Sequence, residues 1–454
     1  MINQSELVVI GVAVSPHKND GVIRFERNCK NLELDYIILG EGKQWNGGDM
    51  NKGIGGGQKI NELKIILDNM PNQLIIVCDT FDLFPVATKL EILEKYRQLC
   101  PNNQILFASE VYCWPDKHVA AMYPRTESVY KYLNSGSFIG YVDDIKRIIT
   151  DDVNDIDDDQ RFYTSKFLHR LDIKLDYNCD IFQALNGATD HIIVHKNRIY
   201  NKYTKSYPIF IHGNGPSKNF LNFLENYIET SRTPPIRSLI NMQNTYVYLA
   251  IYIDSSITDK FINFMDSVLN LQHNNLKIVA FDTNYTDTIA NYMYQRNIDY
   301  HKILQTEYNF EYFINDEKYD YYFLLEQNNI ITKNIAIENL INMMDRNHRI
   351  ISPMLREKNN DSMYSNFWGA IRNDGYYSRS IDYKNLLERE IQALWNVPYI
   401  SGAIMFHRDI ITNWNLSKKN KFTDRDMNLC ENIRKYGLFM YMSNLLDIGY
   451  LIQN

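Results

Sequence analysis

Two aspartates three residues apart, Asp79 and Asp82, end the stretch Leu74-Ile-Ile-Val-Cys-Asp79-Thr-Phe-Asp82. The apolar, largely β-branched run before them reads as a strand buried on both faces. In an open α/β sheet, ligands gather just beyond the carboxyl ends of such strands. Two carboxylates there can hold a hard divalent cation through oxygen and leave positions open for phosphate oxygens and water. That is the chemistry a nucleotide-sugar glycosyltransferase needs, because its leaving group is a diphosphate. The plainer alternative makes Asp82 the cap of a helix running from Pro85 to Leu99, and Asp79 an ordinary loop acid.

Other residues extend the pattern. His212 follows the apolar Ile209-Phe-Ile and can complete a metal set with Asp79 and Asp82, and Lys218 adds a point charge for the diphosphate. Asp158 and Asp159 lie in an acidic run, Asp157-Asp-Asp-Gln160, at an expected helix N-terminus, where they suit sugar hydroxyls or the acceptor. Trp45 and Trp114 stand in loops and offer flat faces for a base or a sugar. Taken singly, each has a commoner role. A histidine after a strand is usually a structural hydrogen bonder, a loop tryptophan usually plugs a core edge, and an acidic run is usually a solvated face. Together they fall on one edge of one sheet.

The elements that must position them alternate. Residues 7–14, 34–39, 74–78 and 105–109 read as strands, with helices expected at 21–30, from Ile60 onward and at 85–99. Such alternation predicts an α/β fold with a mostly parallel, doubly wound sheet. The glycine-rich loop 42–57 is followed by no G-K-[ST], which excludes a Walker-type phosphate cradle, and Lys59 opens the helix after it. Residues 133–140 read as a turn into a strand, and Thr230-Ser-Arg-Thr-Pro-Pro235 as a linker.

Beyond that linker the pattern restarts, with strands expected at 246–253 and 276–281 and a helix at 260–271. Ser135 stands 23 residues before Asp158, and Ser401 stands 23 before Asp424. The shared spacing supports the expectation that one architecture occurs twice. The second copy lacks the acid pair, since Glu326 is followed by Gln327, Asn328 and Asn329, and Asp447-Ile-Gly449 stands where the first has His212-Gly-Asn-Gly.

With 454 residues, two domains are expected, 1–235 and 236–454. A net charge of −7 with acids and bases interspersed gives no basic surface for nucleic acid or anionic lipid. The six cysteines have neither C-x-x-C pairing nor zinc spacing. No signal-peptide pattern and no run of membrane-spanning length is read, so the chain as given is expected in the cytoplasm.

The motifs Trp45-Asn-Gly-Gly-Asp49, Gly55-Gly-Gly-Gln-Lys59, Asp79-x-x-Asp82, Ser109-Glu-x-x-Cys-Trp-Pro115, Leu133-Asn-Ser-Gly136, Asp157-Asp-Asp-Gln-x-Phe-Tyr-Thr164 and His212-Gly-Asn-Gly-Pro216 with Lys218 are a specific set. They continue in Ser365-Asn-Phe-Trp-Gly-Ala370, Trp395-Asn-Val-Pro-Tyr-Ile-Ser401 and Ser443-Asn444. In these the chain resembles the glycosyltransferase and accessory domains of the procollagen lysyl hydroxylase and glycosyltransferase family. The resemblance implies two tandem GT-A type (Rossmann-like) domains, the first catalytic and the second degenerate. It implies a UDP-sugar donor with manganese held at the positions of Asp79, Asp82 and His212. Trp45 would lie along the nucleotide, and Lys59, Asp79, Gly215 and Lys218 would serve the donor. Asp158, Asp159, Trp114 and Asn214 match the catalytic side. The hydroxylase domain of the family does not follow, so lysine hydroxylation is not expected. Ser137, Val14 and Phe81 depart from the family near the nucleotide. The expected activity is transfer of glucose from UDP-glucose to galactosyl-hydroxylysine in collagen-like chains. The alternatives are galactosyl transfer to hydroxylysine from UDP-galactose, or a non-catalytic binding or scaffold protein. The second copy is expected to cover its neighbour, to hold a homodimer, or to bind the long acceptor.

Overall fold

The computed structural model describes residues 6–49, 54–170, 172–229, 241–253, 257–303, 308, 310, 318–358, 362–372, 374–416 and 422–452. The expected linker at 230–235 lies outside the described residues. The chain divides into two compact units, Met1–Arg232 and Thr233–Asn454. Among the described residues no helix is long and apolar enough to cross a membrane.

In the first unit, strands β1 (Leu7–Ser15), β2 (Tyr36–Glu41), β3 (Leu74–Asp79), β5 (Ile105–Glu110), β6 (Tyr132–Tyr141) and β7 (Ile173–Leu175) form one sheet in the order β2-β1-β3-β6-β5-β7. β6 runs antiparallel to both its neighbours, and the other pairings are parallel. The sheet is buried on both faces because its central strands carry long apolar runs, such as Leu7–Val14 and Leu74–Cys78. Along β1, Val8, Ile10, Val12 and Val14 enter one core while Leu7 and Val9 enter the other, the two-residue alternation of a pleated strand. Helices α2 (Gly57–Leu67), α4 (Val142–Ile148) and α5 (Asp159–His169) supply Ile60, Leu63, Ile145 and Phe167 to the first core. Helices α1 (Asp20–Asn31) and α3 (Lys89–Leu99) supply Phe25, Ile92 and Tyr96 to the second. A three-layer α/β/α sandwich results.

A small sheet departs from the sequence reading. Leu83–Pro85 (β4) pairs antiparallel with Phe210–His212 (β11), which pairs parallel with Phe182–Ala184 (β8). The helix expected from Pro85 therefore begins at Lys89, and Thr88 occupies its N-cap position. Asp82 caps no helix; its carbonyl accepts the Gly213 N–H at 2.7 Å. The consequence for the site is direct: pairing of Leu83 with His212 sets the histidine beside Asp82.

The second unit repeats the first sheet's path. Its strands run Asp299–Lys302, Leu276–Asp282, Val247–Ile253, Tyr321–Glu326, Ala403–His407, Ile350–Pro353, Tyr441–Ser443 and Leu394–Asn396 across an eight-stranded sheet. Removing the two edge strands leaves the order of the first sheet, again with one strand, Ala403–His407, antiparallel to both neighbours. Asn329–Ile331 pairs with Gly449–Leu451 as β4 pairs with β11, and Asn329 faces Leu451 as Leu83 faces His212. Leu451, not the Asp447-Ile-Gly449 stretch, thus holds the histidine's place.

Candidate functional site

Asp79 ends β3, paired to Val12, and Asp82 lies in the short turn to β4. Ligand atoms of Asp79, Asp82 and His212 all lie within 4.8 Å of one another, the only such trio among the described residues. His212 Nε2 is 3.3 Å from Asp82 Oδ1. Its Nδ1 meets the Asn134 oxygen at 3.2 Å, and the Asn134 amide nitrogen donates to Glu110 Oε1 at 3.0 Å. Since Asn134 must present its oxygen to the ring, Nδ1 carries a hydrogen and Nε2 is the atom turned to the acids. A neutral imidazole so oriented, with two carboxylates, is a donor set for a hard divalent cation supported by an outer hydrogen bond.

Two lysines neutralise the acids. Lys59, first turn of α2, reaches Asp79 Oδ1 at 3.0 Å and Asp159 Oδ2 at 2.6 Å. Lys218, which opens α6 (Lys218–Glu225), reaches Asp82 Oδ2 at 3.1 Å. Burial disfavours the Asp82 carboxylate, yet Lys218 and His212 outweigh it and hold its pKa far below the usual range. At Asp79 burial wins, against Lys59 and His212, and the carboxyl is pushed up. Burial also opposes the His212 imidazolium, but Asp82, Asp79 and Glu110 raise its pKa. Lys59 is raised in the same way, Asp159 and Asp79 overcoming burial.

The neighbouring acids of the 157–160 run divide their work. Asp158 is the N-cap of α5 and accepts the Arg161 N–H at 2.7 Å and the Gly55 N–H at 3.4 Å. Burial raises its carboxyl against those donors. Asp159 points instead to Lys59 and is 4% exposed. Asn214 donates to Glu110 Oε2 at 3.0 Å and accepts from the Asn186 N–H at 3.0 Å, while Gly215 follows at φ +59° in the turn leading to Lys218. Trp114 is half-exposed, and its carbonyl accepts Gln160 Nε2 at 3.0 Å. Trp45 turns over its own loop: its ring crowds Gly47 and its Nε1 donates to the Gly48 carbonyl at 2.6 Å. None of its hydrogen bonds reaches the acids.

Glu110 is the residue the sequence reading left without a role. It ends β5, is 3% exposed, and receives Asn134, Gln160 and Asn214 amides at 3.0, 2.8 and 3.0 Å. Burial pushes its carboxyl up against those three donors. The signal was present: an acid directly after a buried strand, as at Asp79.

In the second unit the corresponding edge is closed by the chain itself. Glu326 pairs with Tyr252 as Asp79 pairs with Val12. Arg425 follows the N-cap Asp424 as Asp159 follows Asp158, and its Nε reaches Glu326 Oε1 at 2.7 Å. Tyr308 donates to the same oxygen at 2.9 Å, and the Arg425 guanidinium lies 4.9 Å from the Tyr252 ring centre. A fixed guanidinium thus neutralises the strand-end acid.

Two family models match separate stretches of the chain. Residues 3–235 match the PLOD GT domain, and residues 310–454 match the N-terminal domain of glycosyltransferase family 25. The chain is 45% identical to the uncharacterized protein R699 of Acanthamoeba polyphaga mimivirus over 99% of both chains. It is 33% identical to mouse procollagen-lysine,2-oxoglutarate 5-dioxygenase 2, covering 99% of this chain and 66% of that protein. To the human multifunctional procollagen lysine hydroxylase and glycosyltransferase LH3 it is 31% identical, over 99% of this chain and 65% of the human protein. The chain therefore spans about two thirds of the length of these animal relatives.

Proposed function

Because the chain belongs to the PLOD glycosyltransferase-domain family, we propose that it transfers glucose from UDP-glucose to galactosyl-hydroxylysine in collagen-like chains. The observation that carries the reading is the gathering of Asp79, Asp82 and His212 within 4.8 Å inside the matched region. A manganese ion bound by these three would supply Lewis acidity to the departing diphosphate. Lys218 lies against Asp82 and is placed to add its charge to the diphosphate oxygens. Lys59 holds Asp79 and Asp159 in fixed orientation, and Glu110, Asn134, Gln160 and Asn214 offer a rigid polar wall for sugar hydroxyls.

The choice of glucose is supported by where the carboxylates are committed. Galactosyl transfer from UDP-galactose to hydroxylysine inverts the anomeric carbon and calls for a carboxylate base at the acceptor. Asp158 is occupied as a helix cap and Asp159 as the partner of Lys59. Retaining transfer from UDP-glucose uses the leaving diphosphate to take the acceptor proton, and needs no such base. The test is to incubate the protein and manganese with each UDP-sugar and with peptides bearing free or galactosylated hydroxylysine, then weigh the products. One added hexose on the galactosylated peptide with UDP-glucose is expected. Addition to free hydroxylysine from UDP-galactose would reverse the assignment, and no addition to either peptide would remove the collagen reading.

A further inference from the structure

After β5 the chain carries two aromatic residues two positions apart, Tyr112 and Trp114, exposed by 52% and 50%. They follow Glu110, the buried carboxylate of the site, by two and four residues. Tyr112 is held in place from below. Its ring lies on Gly187, where a Cβ would stand 2.5 Å from Cε2 and 2.8 Å from Cζ. Gly187 also has φ +78°, a conformation that L side chains rarely adopt. The residue before it, Asn186, donates its N–H to Asn214, and Asn214 donates to Glu110. The ring's support is thus tied to the polar wall of the site.

Position across the sheet says which sugar such a platform would meet. Asp79 ends β3 and Glu110 ends β5, with β6 between them. Adjacent strands are about 4.8 Å apart, so the segment after β5 lies about 10 Å across the sheet from the acids that would take the diphosphate. On the glycosyl-transfer reading, the transferring hexose would occupy the interval and the acceptor would lie beyond it. A flat, half-exposed ring whose support on Gly187 is tied through Asn186 and Asn214 to Glu110 suits a hexose, which presents a C–H face to an aromatic ring.

Resting on the glycosyl-transfer reading above, we propose that Tyr112, seated on Gly187, is the stacking platform for the acceptor's galactose and so selects galactosylated over bare hydroxylysine. The experiment compares wild type, Tyr112→Phe and Tyr112→Ala in two ways: transfer from UDP-glucose, and fluorescence-detected binding of galactosyl-hydroxylysine peptide and of hydroxylysine peptide with UDP and manganese present. Loss of one stacked ring costs about five- to ten-fold in affinity. Tyr112→Ala should raise KM and Kd for the galactosylated peptide by that factor and leave the KM for UDP-glucose, the hydrolysis of UDP-glucose and the binding of bare peptide unchanged. Tyr112→Phe should behave as wild type. Unchanged affinity of Tyr112→Ala for the galactosylated peptide would overturn the platform while leaving the transferase reading intact. A wild type that binds the galactosylated peptide, loses that binding in Tyr112→Ala, yet transfers nothing would overturn the transferase reading and leave the platform standing. A wild type that binds neither peptide overturns both.

Discussion

Gly136 sits on β6 directly under the histidine of the candidate metal set, and replacing it by alanine tests the site through one methyl group. A Cβ at Gly136 would lie 2.2 Å from His212 Cε1 and 2.7 Å from Nδ1, where ordinary contact begins at 3.4 Å. The ring must therefore retreat by about 3.4 − 2.2 = 1.2 Å. Metal–ligand bonds tolerate about 0.2 Å, so Nε2 leaves bonding range, and the Asn134 contact at 3.2 Å is broken with it. A misplacement of about 1 Å in a catalytic arrangement costs about 100-fold in rate, and overpacking costs about 1–3 kcal/mol of stability. Gly140→Ala on the same strand is the control: its Cβ would meet Ile105 Cγ1 at 3.1 Å, within the core and away from the acids. The assay is UDP release from UDP-glucose as manganese is titrated, with thermal unfolding measured alongside. Gly136→Ala should lose about two decades in rate and require more manganese, whereas Gly140→Ala should lose stability alone. A Gly136→Ala enzyme with normal rate and normal manganese dependence would refute the placement of His212 on the cation.

Asp79→Asn and Asp82→Asn should each abolish transfer while the far-ultraviolet circular dichroism stays that of wild type; retained turnover in both would place the cation elsewhere. Asp82, held below its ordinary pKa by Lys218 and His212 against the opposing effect of burial, contributes stability that is complete above about pH 4 and is lost as pH falls below that value. Asp82→Asn should therefore lower Tm at pH 7 more than at pH 3 in metal-free buffer, and equal losses at both would contradict the ion pair. Chelation should stop transfer without unfolding, because Lys59 and Lys218 remain on the acids; a cooperative loss of structure in EDTA would show that the cation is structural. Arg425→Met leaves Glu326 without its guanidinium and should cost about 2 kcal/mol, read as a lower Tm, with transfer rate unchanged. A fall in rate with unaltered Tm would assign the second unit a part in catalysis.

The buried strands were legible because a parallel sheet covered on both faces writes unbroken apolar runs such as Leu74–Cys78, and the acids just after them carry the chemistry. The restart after residue 240 was legible for the same reason. What escaped depended on contacts between distant residues. The three-residue strand Leu83–Pro85 exists only through its pairing with Phe210–His212, and nothing local distinguishes it from a helix start after Pro85. The Lys59 bridge joins residues 20 and 100 positions apart in the chain, and only the folded chain brings Asn134, Gln160 and Asn214 onto Glu110. The lysines that offset the repulsion among the acids are likewise visible only in the side-chain geometry.

Arg425 at the start of the second unit's helix, where the first unit has Asp159, makes the positive charge beside Glu326 part of the polypeptide. An arginine stays charged at every working pH, so its contact with Glu326 holds whatever the supply of metal ions. A divalent cation approaching Glu326 meets that fixed charge first, so the second unit's sheet edge is electrostatically complete in the bare chain.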